Sequence, residues 1–193
     1  MDWETRFQTE DTPWERDGLH PALDHWAHLG LLKDDSRIIV PGCGRAREPM
    51  ELARAGLDVT IADLSTTAIA WQREAFQVEG LGVTVFESDA LSYSPPEAFD
   101  LIWEQTFLCA ISPKLRQAYE TCVYDWLKPG GTLLALFMQK DERGGPPYGC
   151  SIEAMRDLFP ENRWIWPGED AFRPFPHPSL NGKPEIAVAL TRR

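Results

Sequence analysis

The chain has 193 residues, of which 43% are hydrophobic and 25% charged, and a net charge of −11. This composition is typical of a globular protein rather than a disordered one, and the length suits a single domain. No apolar run approaches the roughly 18 residues that a membrane span needs, so no membrane association is expected. The excess of negative charge repels phosphate backbones and argues against a nucleic-acid partner.

The cysteines, the histidines and the start of the chain bear on compartment and metal binding. No C-x-x-C pair occurs among the four cysteines, which are Cys43, Cys109, Cys122 and Cys150. We interpret them as reduced thiols of a cytoplasmic protein rather than as disulfides or zinc ligands. Residues 1–6 lack the basic-then-apolar pattern of a signal peptide. His25 and His28 have a spacing that suits a metal ion, but no third ligand lies nearby, so we predict no metal site.

The first 20 residues are polar but carry aromatic side chains at Trp3, Phe7 and Trp14. They show no helical periodicity. We therefore expect residues 1–20 to form a lid that orders by packing over a ligand rather than by forming a helix of its own. Pro21 then opens a short helix that ends near Gly30.

From residue 37 onward, short apolar runs alternate with helical segments. The predicted strands are 37–40, 58–62, 83–86, 99–103, 132–138, 163–166 and 185–191. The predicted helices are 48–55, 66–79, 113–127 and 151–159. Ser65 caps the second of these helices and Gly80 ends it, and Val78 is expected on its buried face. Pro174 to Pro178 are interpreted as a loop.

Strands separated by helices indicate parallel pairing through crossovers, and strands that are apolar throughout indicate a sheet covered on both faces. The last two strands have no helix between them, so we expect them to pair antiparallel at an edge. The predicted fold is an α/β three-layer sandwich with a Rossmann-like, mostly parallel sheet. Ligands of such sheets bind at the carboxyl ends of the strands.

The residues at these carboxyl ends predict a pocket for an adenosine-containing cofactor. Gly42-Cys43-Gly44 follows the first strand, and glycines there let the backbone approach a ligand closely. Asp63 closes the second strand and can accept hydrogen bonds from both ribose hydroxyls. Asp89 follows the third strand, where it can meet an adenine amino group. Each aspartate could instead be only a helix cap.

Two classes of cofactor fit such a pocket. A dinucleotide site requires a third glycine where this chain has Arg47. The missing glycine counts against an NAD-type oxidoreductase, which remains the alternative. S-adenosylmethionine carries no phosphate, and its cationic sulfonium suits aromatic faces such as Trp3, Trp14 and Trp103. The chemistry therefore favours S-adenosylmethionine.

Five motifs then occur in order along the chain: Thr12–Trp14, Val40–Gly44, Phe99–Ile111, Leu127–Gly131 and Gly145–Tyr148. This set resembles the thiopurine S-methyltransferase superfamily, which includes halide, thiocyanate and thiol methyltransferases. The resemblance extends over roughly residues 3–148. It implies the seven-stranded class I methyltransferase sheet, independence from metal, and a monomer in the cytosol.

The resemblance also implies roles for individual residues. Trp3 would lie along the cofactor, Trp14 at the junction of cofactor and substrate, Gly42, Cys43 and Gly44 under the methionine portion, Asp63 at the ribose, Asp89 and Ala90 at the adenine, and Glu104 and Gln105 beside the methionine portion. The animal thiopurine enzymes carry Asp-Arg where this chain has Glu104-Gln105. That departure shifts the prediction toward the thiol and halide branch.

The acceptor is expected to bind among Trp14, Arg16, Tyr148 in the loop after Gly144, and Phe175, with His177 as a further polar group. No catalytic side chain is predicted, because a soft nucleophile needs no strong base at neutral pH. The predicted function is transfer of a methyl group from S-adenosylmethionine to a soft small-molecule nucleophile, with a thiol as the favoured acceptor. A non-catalytic module that binds S-adenosylmethionine remains a third possibility. Thiols, thiopurines, halides, and selenium or tellurium species all stay open as acceptors.

Overall fold

The computed structural model describes residues 1–177 and 180–193, and the chain divides into two compact units, Met1–Tyr93 and Ser94–Arg193. In the first unit three strands pair in the order β3-β2-β1, and all of these pairs are parallel. Its elements are α1 (Trp3–Gln8), α2 (Ala22–His28), β1 (Arg37–Pro41), α3 (Glu48–Arg54), β2 (Asp58–Asp63), α4 (Thr66–Glu79) and β3 (Thr84–Glu87).

Strands β1 and β2 form the core of the first unit. Ile38 and Ile39 are buried side by side, and so are Val59 and Ile61 with Thr60 between them. Successive side chains of a strand point to opposite faces, so this continuous burial means that both faces of these two strands are covered. The apolar runs seen in the sequence therefore correspond to doubly covered strands, as predicted.

Helix α4 begins and ends where the sequence indicates. The Ser65 hydroxyl accepts a hydrogen bond from the Ala68 N–H at 3.1 Å, and Gly80 ends the helix in a left-handed conformation. The expected buried face is wrong in one respect, since Val78 is 78% exposed. The physical reason is Gln72, whose buried carboxamide donates to backbone carbonyls of the loop after β1 and turns that side of the helix inward.

The second unit contains one parallel pair, β4 with β5, and an antiparallel region around β8. Strand β8 pairs with β5 along one edge and with both β6 and β7 along the other. Its elements are β4 (Phe99–Glu104), α5 (Phe107–Ala110), α6 (Arg116–Trp126), β5 (Leu127–Met138), α7 (Ile152–Leu158), β6 (Trp164–Ile165), β7 (Arg173–Pro176) and β8 (Pro184–Arg192). Short 3-10 turns occur at Ala90–Ser92, Pro113–Leu115 and Glu169–Ala171.

Antiparallel pairing of the last predicted strands is confirmed, but it is part of a larger arrangement than expected. Strand β7 was interpreted as a loop because Pro174 and Pro176 lack a backbone N–H. They are tolerated because a strand that pairs along a single edge can keep alternate residues out of the hydrogen-bonding ladder. Pro178, the last proline of that predicted loop, lies outside the described residues.

Other elements also differ from the prediction, and strand β5 begins at Leu127 rather than at residue 132. The helix expected to start at Pro113 begins as a 3-10 turn and becomes α-helical only at Arg116. Helix α5, a single turn directly after β4, was not predicted. Within residues 1–177 and 180–193, no helix is both long and apolar enough to cross a membrane.

Candidate cofactor and active site

The loop after β1 needs its glycines. Gly42 and Gly44 have φ angles of +59° and +49°, a left-handed conformation that favours residues without a Cβ. Cys43 lies between them, and its backbone N–H donates to the Ala62 carbonyl at 3.2 Å. Burial raises the pKa of the Cys43 thiol well above its usual range, so Cys43 is a small core residue and not a nucleophile.

Asp63, the last residue of β2, is held by two backbone groups. Its Oδ2 accepts from the Gly44 N–H at 2.8 Å and its Oδ1 accepts from the Ser65 N–H at 2.9 Å. The residue is 8% exposed, and burial raises its pKa while the backbone hydrogen bonds oppose that rise. Each carboxylate oxygen keeps a second lone pair, so the carboxylate can still accept two more hydrogen bonds in a fixed orientation.

The N-terminal segment contains a helix of its own, α1, which corrects the expectation that it would order without one. The helix starts at the cap Asp2, whose side chain accepts from the Thr5 N–H at 3.2 Å. At six residues it is too short to show helical periodicity in the sequence, and it depends on tertiary contacts for its stability.

Glu4 supplies the main polar contact between α1 and α4. Its carboxylate accepts from the Ser65 hydroxyl at 2.5 Å, and from the Thr67 hydroxyl and N–H at 2.6 and 3.1 Å. These hydrogen bonds lower the pKa of Glu4 to about 2. Because Ser65 also donates its backbone N–H to Asp63, the N-terminal helix is linked through one residue to the Asp63 carboxylate.

Aromatic rings connect the same segment to the glycine loop. Trp14 lies edge-on to Trp3 and to Phe7, with ring centroids 5.5 and 5.8 Å apart. The guanidinium of Arg6 lies 4.6 Å from the centre of the Trp14 ring. Phe7 is buried against Gly44, where an added Cβ would come within 3.1 Å of its ring. The structure thus brings together Trp3, Trp14, Gly44 and Asp63, four of the residues predicted for the cofactor site.

Arg45, the first residue after this loop, is already paired. Its Nε and one terminal nitrogen contact the two carboxylate oxygens of Glu15 at 2.7 and 2.8 Å, and Thr12 completes the cluster. The positive charge of this guanidinium is therefore neutralised by the carboxylate of Glu15. The loop therefore suits a cofactor without a phosphate, in agreement with the chemistry of S-adenosylmethionine.

Asp89 and Ala90 follow β3 as predicted, but Asp89 acts as a cap. Its Oδ1 accepts from the Leu91 N–H at 2.9 Å at the start of the 3-10 turn, and the side chain is exposed. Ala90 is buried. The helix cap that the sequence analysis gave as the alternative role of Asp89 is therefore present. The contact of Asp89 with adenine stays a prediction. Arg16 lies half-buried in the N-terminal segment.

In the second unit, Glu104 ends β4 with its side chain inside the protein. It is 1% exposed, and its Oε1 accepts from the Leu108 N–H of α5 at 2.7 Å. Its Oε2 has no hydrogen-bond partner among the described residues. Burial raises the pKa of Glu104 to about 7; Glu185 adds to the rise, while the Leu108 hydrogen bond and the charge of Arg116 oppose it.

Arg116, the first residue of α6, has a structural role. It is buried, and its guanidinium donates to the carbonyls of Leu108 and Gly149 at 3.3 and 3.0 Å and to the Cys150 sulfur at 3.2 Å. It therefore ties helix α5 to the chain before α7. An isolated arginine at a helix start carries no sequence signal for such a role.

Gln105 and its neighbours form a tight turn directly after β4. The Trp103 indole N–H donates to the Gln105 Oε1 at 2.8 Å. Thr106 has a φ of +63°, and its hydroxyl donates to the Gln105 carbonyl at 2.6 Å. A β-branched residue in the left-handed region is uncommon, and such backbone outliers concentrate at functional sites.

Two of the residues predicted to bind the acceptor, Tyr148 and Phe175, lie in this unit, one in the loop before α7 and one on β7. Tyr148 is half-buried and donates its backbone N–H to the Cys109 carbonyl at 2.7 Å, so its loop contacts α5. Phe175 lies on β7 opposite Glu185 of β8. His177 is buried just beyond β7. Over the described ranges, no group of three or more His, Cys, Asp and Glu side chains is arranged to hold a metal ion.

Comparison with solved structures shows that the backbone has the fold of known methyltransferases. The backbone matches the N-methyltransferase NodS of Bradyrhizobium japonicum, solved with S-adenosylhomocysteine, with a TM-score of 0.77 and 16% identity over 100% of this chain and 99% of that one. It matches the 1,6-didemethyltoxoflavin-N1-methyltransferase of Burkholderia thailandensis with a TM-score of 0.76 and 17% identity, covering 100% and 85% of the two chains. These likenesses show the class I methyltransferase fold, with the expected mixed, mostly parallel sheet.

Sequence comparison narrows the class to a family. The family model described as Thiopurine S-methyltransferase (TPMT) matches residues 1–167. A probable thiol methyltransferase 2 of Arabidopsis thaliana is 33% identical over 78% of this chain and 67% of its own length. A thiopurine S-methyltransferase of Pseudomonas fluorescens is 27% identical over 81% and 80%.

Fold and sequence together define an enzyme that uses S-adenosylmethionine to methylate a small-molecule nucleophile. The chain belongs to the thiopurine S-methyltransferase family. The resemblance found in the motifs is confirmed, and neither an NAD-type oxidoreductase nor a non-catalytic module is supported.

Proposed function

We propose that the acceptor is a soft nucleophile, with a thiol as the preferred substrate. The observation that carries this proposal is the state of the two buried carboxyl groups at the strand ends. Both Asp63 oxygens accept backbone hydrogen bonds, and Glu104 is buried against Leu108. Asp63 is assigned to the ribose and Glu104 is 1% exposed, so neither carboxylate is presented to an acceptor hydroxyl group. The names of the Arabidopsis relatives, a probable thiol methyltransferase and a thiocyanate methyltransferase, point in the same direction.

The residues of this chain suit the cofactor that the family uses. S-adenosylmethionine supplies a methyl group on a positively charged sulfur. Asp63 would hold the ribose hydroxyls with its two remaining lone pairs, and the backbone from Gly42 to Gly44 would lie under the methionine portion. Asp89, Ala90 and Glu104 complete the proposed cofactor contacts.

The remaining proposed roles concern alignment and exclusion of water. Trp3 and Trp14 would cover the reacting centre, and Arg16, Tyr148 and Phe175 would line the acceptor side. A thiol has a pKa of about 8.5, so an appreciable fraction is already thiolate near neutral pH and alignment alone is sufficient. An alcohol or phenol would require a positioned base or a metal.

A comparison of matched acceptors tests the proposal. We expect kcat/KM for an aryl thiol to exceed that for the corresponding phenol by roughly a hundredfold or more, because only the phenol needs general-base catalysis. Comparable values, or a requirement for added Mg²⁺, would contradict a thiol acceptor.

We also propose that residues 1–20 form a lid on a single domain. The protein is proposed to be a monomer of the cytoplasm. The contacts of Glu4, Phe7 and Glu15 support a role for residues 1–20 as a segment that packs on the cofactor loop. The net charge of −11 supports a protein that does not bind nucleic acid. Sedimentation at micromolar concentration tests the monomer.

A further inference from the structure

The orientation of the Gln105 side chain follows from the chemistry of its partner. An indole N–H can only donate, so the atom of Gln105 that faces Trp103 Nε1 at 2.8 Å must be the amide oxygen. The amide nitrogen with its two N–H groups then points away from Trp103. Trp103 is 1% exposed within β4 and gives Gln105 a rigid support.

The two N–H groups of this amide donate no hydrogen bond to the residues that the structure describes. Among the residues that the structure describes, no acceptor lies within hydrogen-bond distance of Gln105 Nε2, and the side chain is only partly buried. The turn that carries it is held on both sides, by the bond from Leu108 N–H to Glu104 and by the strained Thr106. The result is a preorganised pair of uncharged donors at the carboxyl end of β4, where ligands of this fold class bind.

The chemistry of these donors selects one type of ligand. Uncharged N–H groups stabilise an anion without bringing a counter-charge of their own, and they replace only a few of its hydrogen bonds to water. Large, polarisable anions lose little on dehydration, so they bind to such a site more readily than small, strongly hydrated ones.

We propose that Gln105 is a specificity-determining residue that donates hydrogen bonds to the negative charge of a small, weakly hydrated anionic acceptor, such as a thiolate, thiocyanate or a heavy halide. This inference rests on the proposed function, because it concerns the acceptor of the same reaction. It departs from the interpretation of Gln105 as a contact of the methionine portion. It assigns Trp103 as the residue that positions the amide.

Binding of sodium thiocyanate to the enzyme saturated with S-adenosylhomocysteine tests the inference by calorimetry. We expect Gln105→Leu, which keeps the size but removes both donors, to raise the Kd of thiocyanate about tenfold or more. Gln105→Glu should raise it further, because it places negative charge at the site. Gln77→Leu, a change of an exposed glutamine on α4, serves as the matched control and should have no effect.

The same titrations measure the Kd of S-adenosylhomocysteine, which should stay within about twofold of wild type. An equal loss of affinity for S-adenosylhomocysteine would overturn the inference and return Gln105 to the cofactor. An unchanged Kd of thiocyanate in Gln105→Leu would overturn it as well. A wild-type enzyme that methylates aryl thiols but does not bind thiocyanate would also overturn it, while leaving the proposed thiol acceptor intact.

Trp103→Phe tests the positioning role separately. The variant keeps Gln105 but removes the N–H that orients it, so we expect an intermediate rise in the Kd of thiocyanate with no change for S-adenosylhomocysteine. Because Trp103 is a core residue, circular dichroism must show that the variant is folded. If it does not fold, Gln105→Leu alone decides the proposal.

Discussion

Asp63 combines burial with a fixed orientation, and both would matter for the contact with the cofactor that we propose for it. Replacement by Ala should raise the Kd of S-adenosylhomocysteine by about tenfold or more, since hydrogen bonds to a charged group contribute roughly 1.5–3 kcal/mol each. Asp58→Ala is the matched control, because Asp58 is an exposed aspartate at the opposite end of the same strand. An unchanged Kd in folded Asp63→Ala would remove Asp63 from the site.

Glu104 makes stability depend on pH in a direction opposite to that of a normal salt-bridged carboxylate. Its pKa is about 7 in the folded protein against a usual value of 4.5. Between these values the folded state binds more protons than the unfolded state. The free energy of unfolding therefore decreases as pH rises from about 4.5 to 7, by on the order of 3 kcal/mol for this group.

Urea unfolding at pH 5 and pH 8 measures this effect. Glu104→Gln has no titrating proton, so its loss of stability between the two pH values should be smaller than that of wild type. The difference between the two proteins cancels the contributions of groups that do not interact with Glu104. Equal losses in both proteins would show that Glu104 is ionised in the folded state.

At the scale of elements, α1 depends on Glu4 for its attachment. Glu4→Ala removes three hydrogen bonds to Ser65 and Thr67, so trypsin should cleave after Arg6 and Arg16 several times faster. Gln8→Ala is the control, because it removes only the bond from Gln8 to Glu4 within the same helix.

S-adenosylhomocysteine should slow these cleavages in wild type, because a lid that packs on the cofactor is stabilised by it. The protection should be smaller in Glu4→Ala. Equal cleavage rates with and without the ligand in wild type would contradict a lid.

The sequence predicts regular elements well and short ones poorly, for a physical reason. Strands buried on both faces produce apolar runs, and helices with a serine cap produce a local signal, so β1, β2, α4 and α7 are where they were expected. Helices α1 and α5 have only six and four residues and are held by the side chains of Glu4 and Glu104. Strand β7 is held by pairing with β8 despite its prolines, and no local pattern encodes such contacts.

In the candidate site, too, the features that local sequence encodes are predictable and those that depend on tertiary contacts are not. Glycines and an aspartate at strand ends are local features, so Gly42, Gly44 and Asp63 could be proposed for the site from order and spacing alone. The burial of Arg116 beside Glu104, and the bond that orients Gln105, depend on residues brought together by folding. They could be seen only in three dimensions.

For the whole molecule, the net charge of −11 acts against the capture of an anionic acceptor. Added salt screens this repulsion, since the Debye length falls from about 30 Å at 0.01 M to about 8 Å at 0.15 M. We expect kcat/KM for thiocyanate to rise roughly twofold to tenfold over that range, and kcat/KM for a neutral acceptor to stay constant. Sodium fluoride is the appropriate salt, because chloride could itself compete. A fall for thiocyanate would indicate a locally positive entrance.

The burial of three of the four cysteines has a consequence for the thiol acceptor that we propose. Such acceptors oxidise readily to disulfides, which can inactivate a protein by exchange with its own thiolates. Burial raises the pKa of Cys43 and Cys109 well above the usual range and that of Cys150 to about 12, so these residues are almost never ionised. Exchange would thereby be confined to the partly exposed Cys122 on α6, so the enzyme should resist inactivation by the oxidised form of a thiol acceptor.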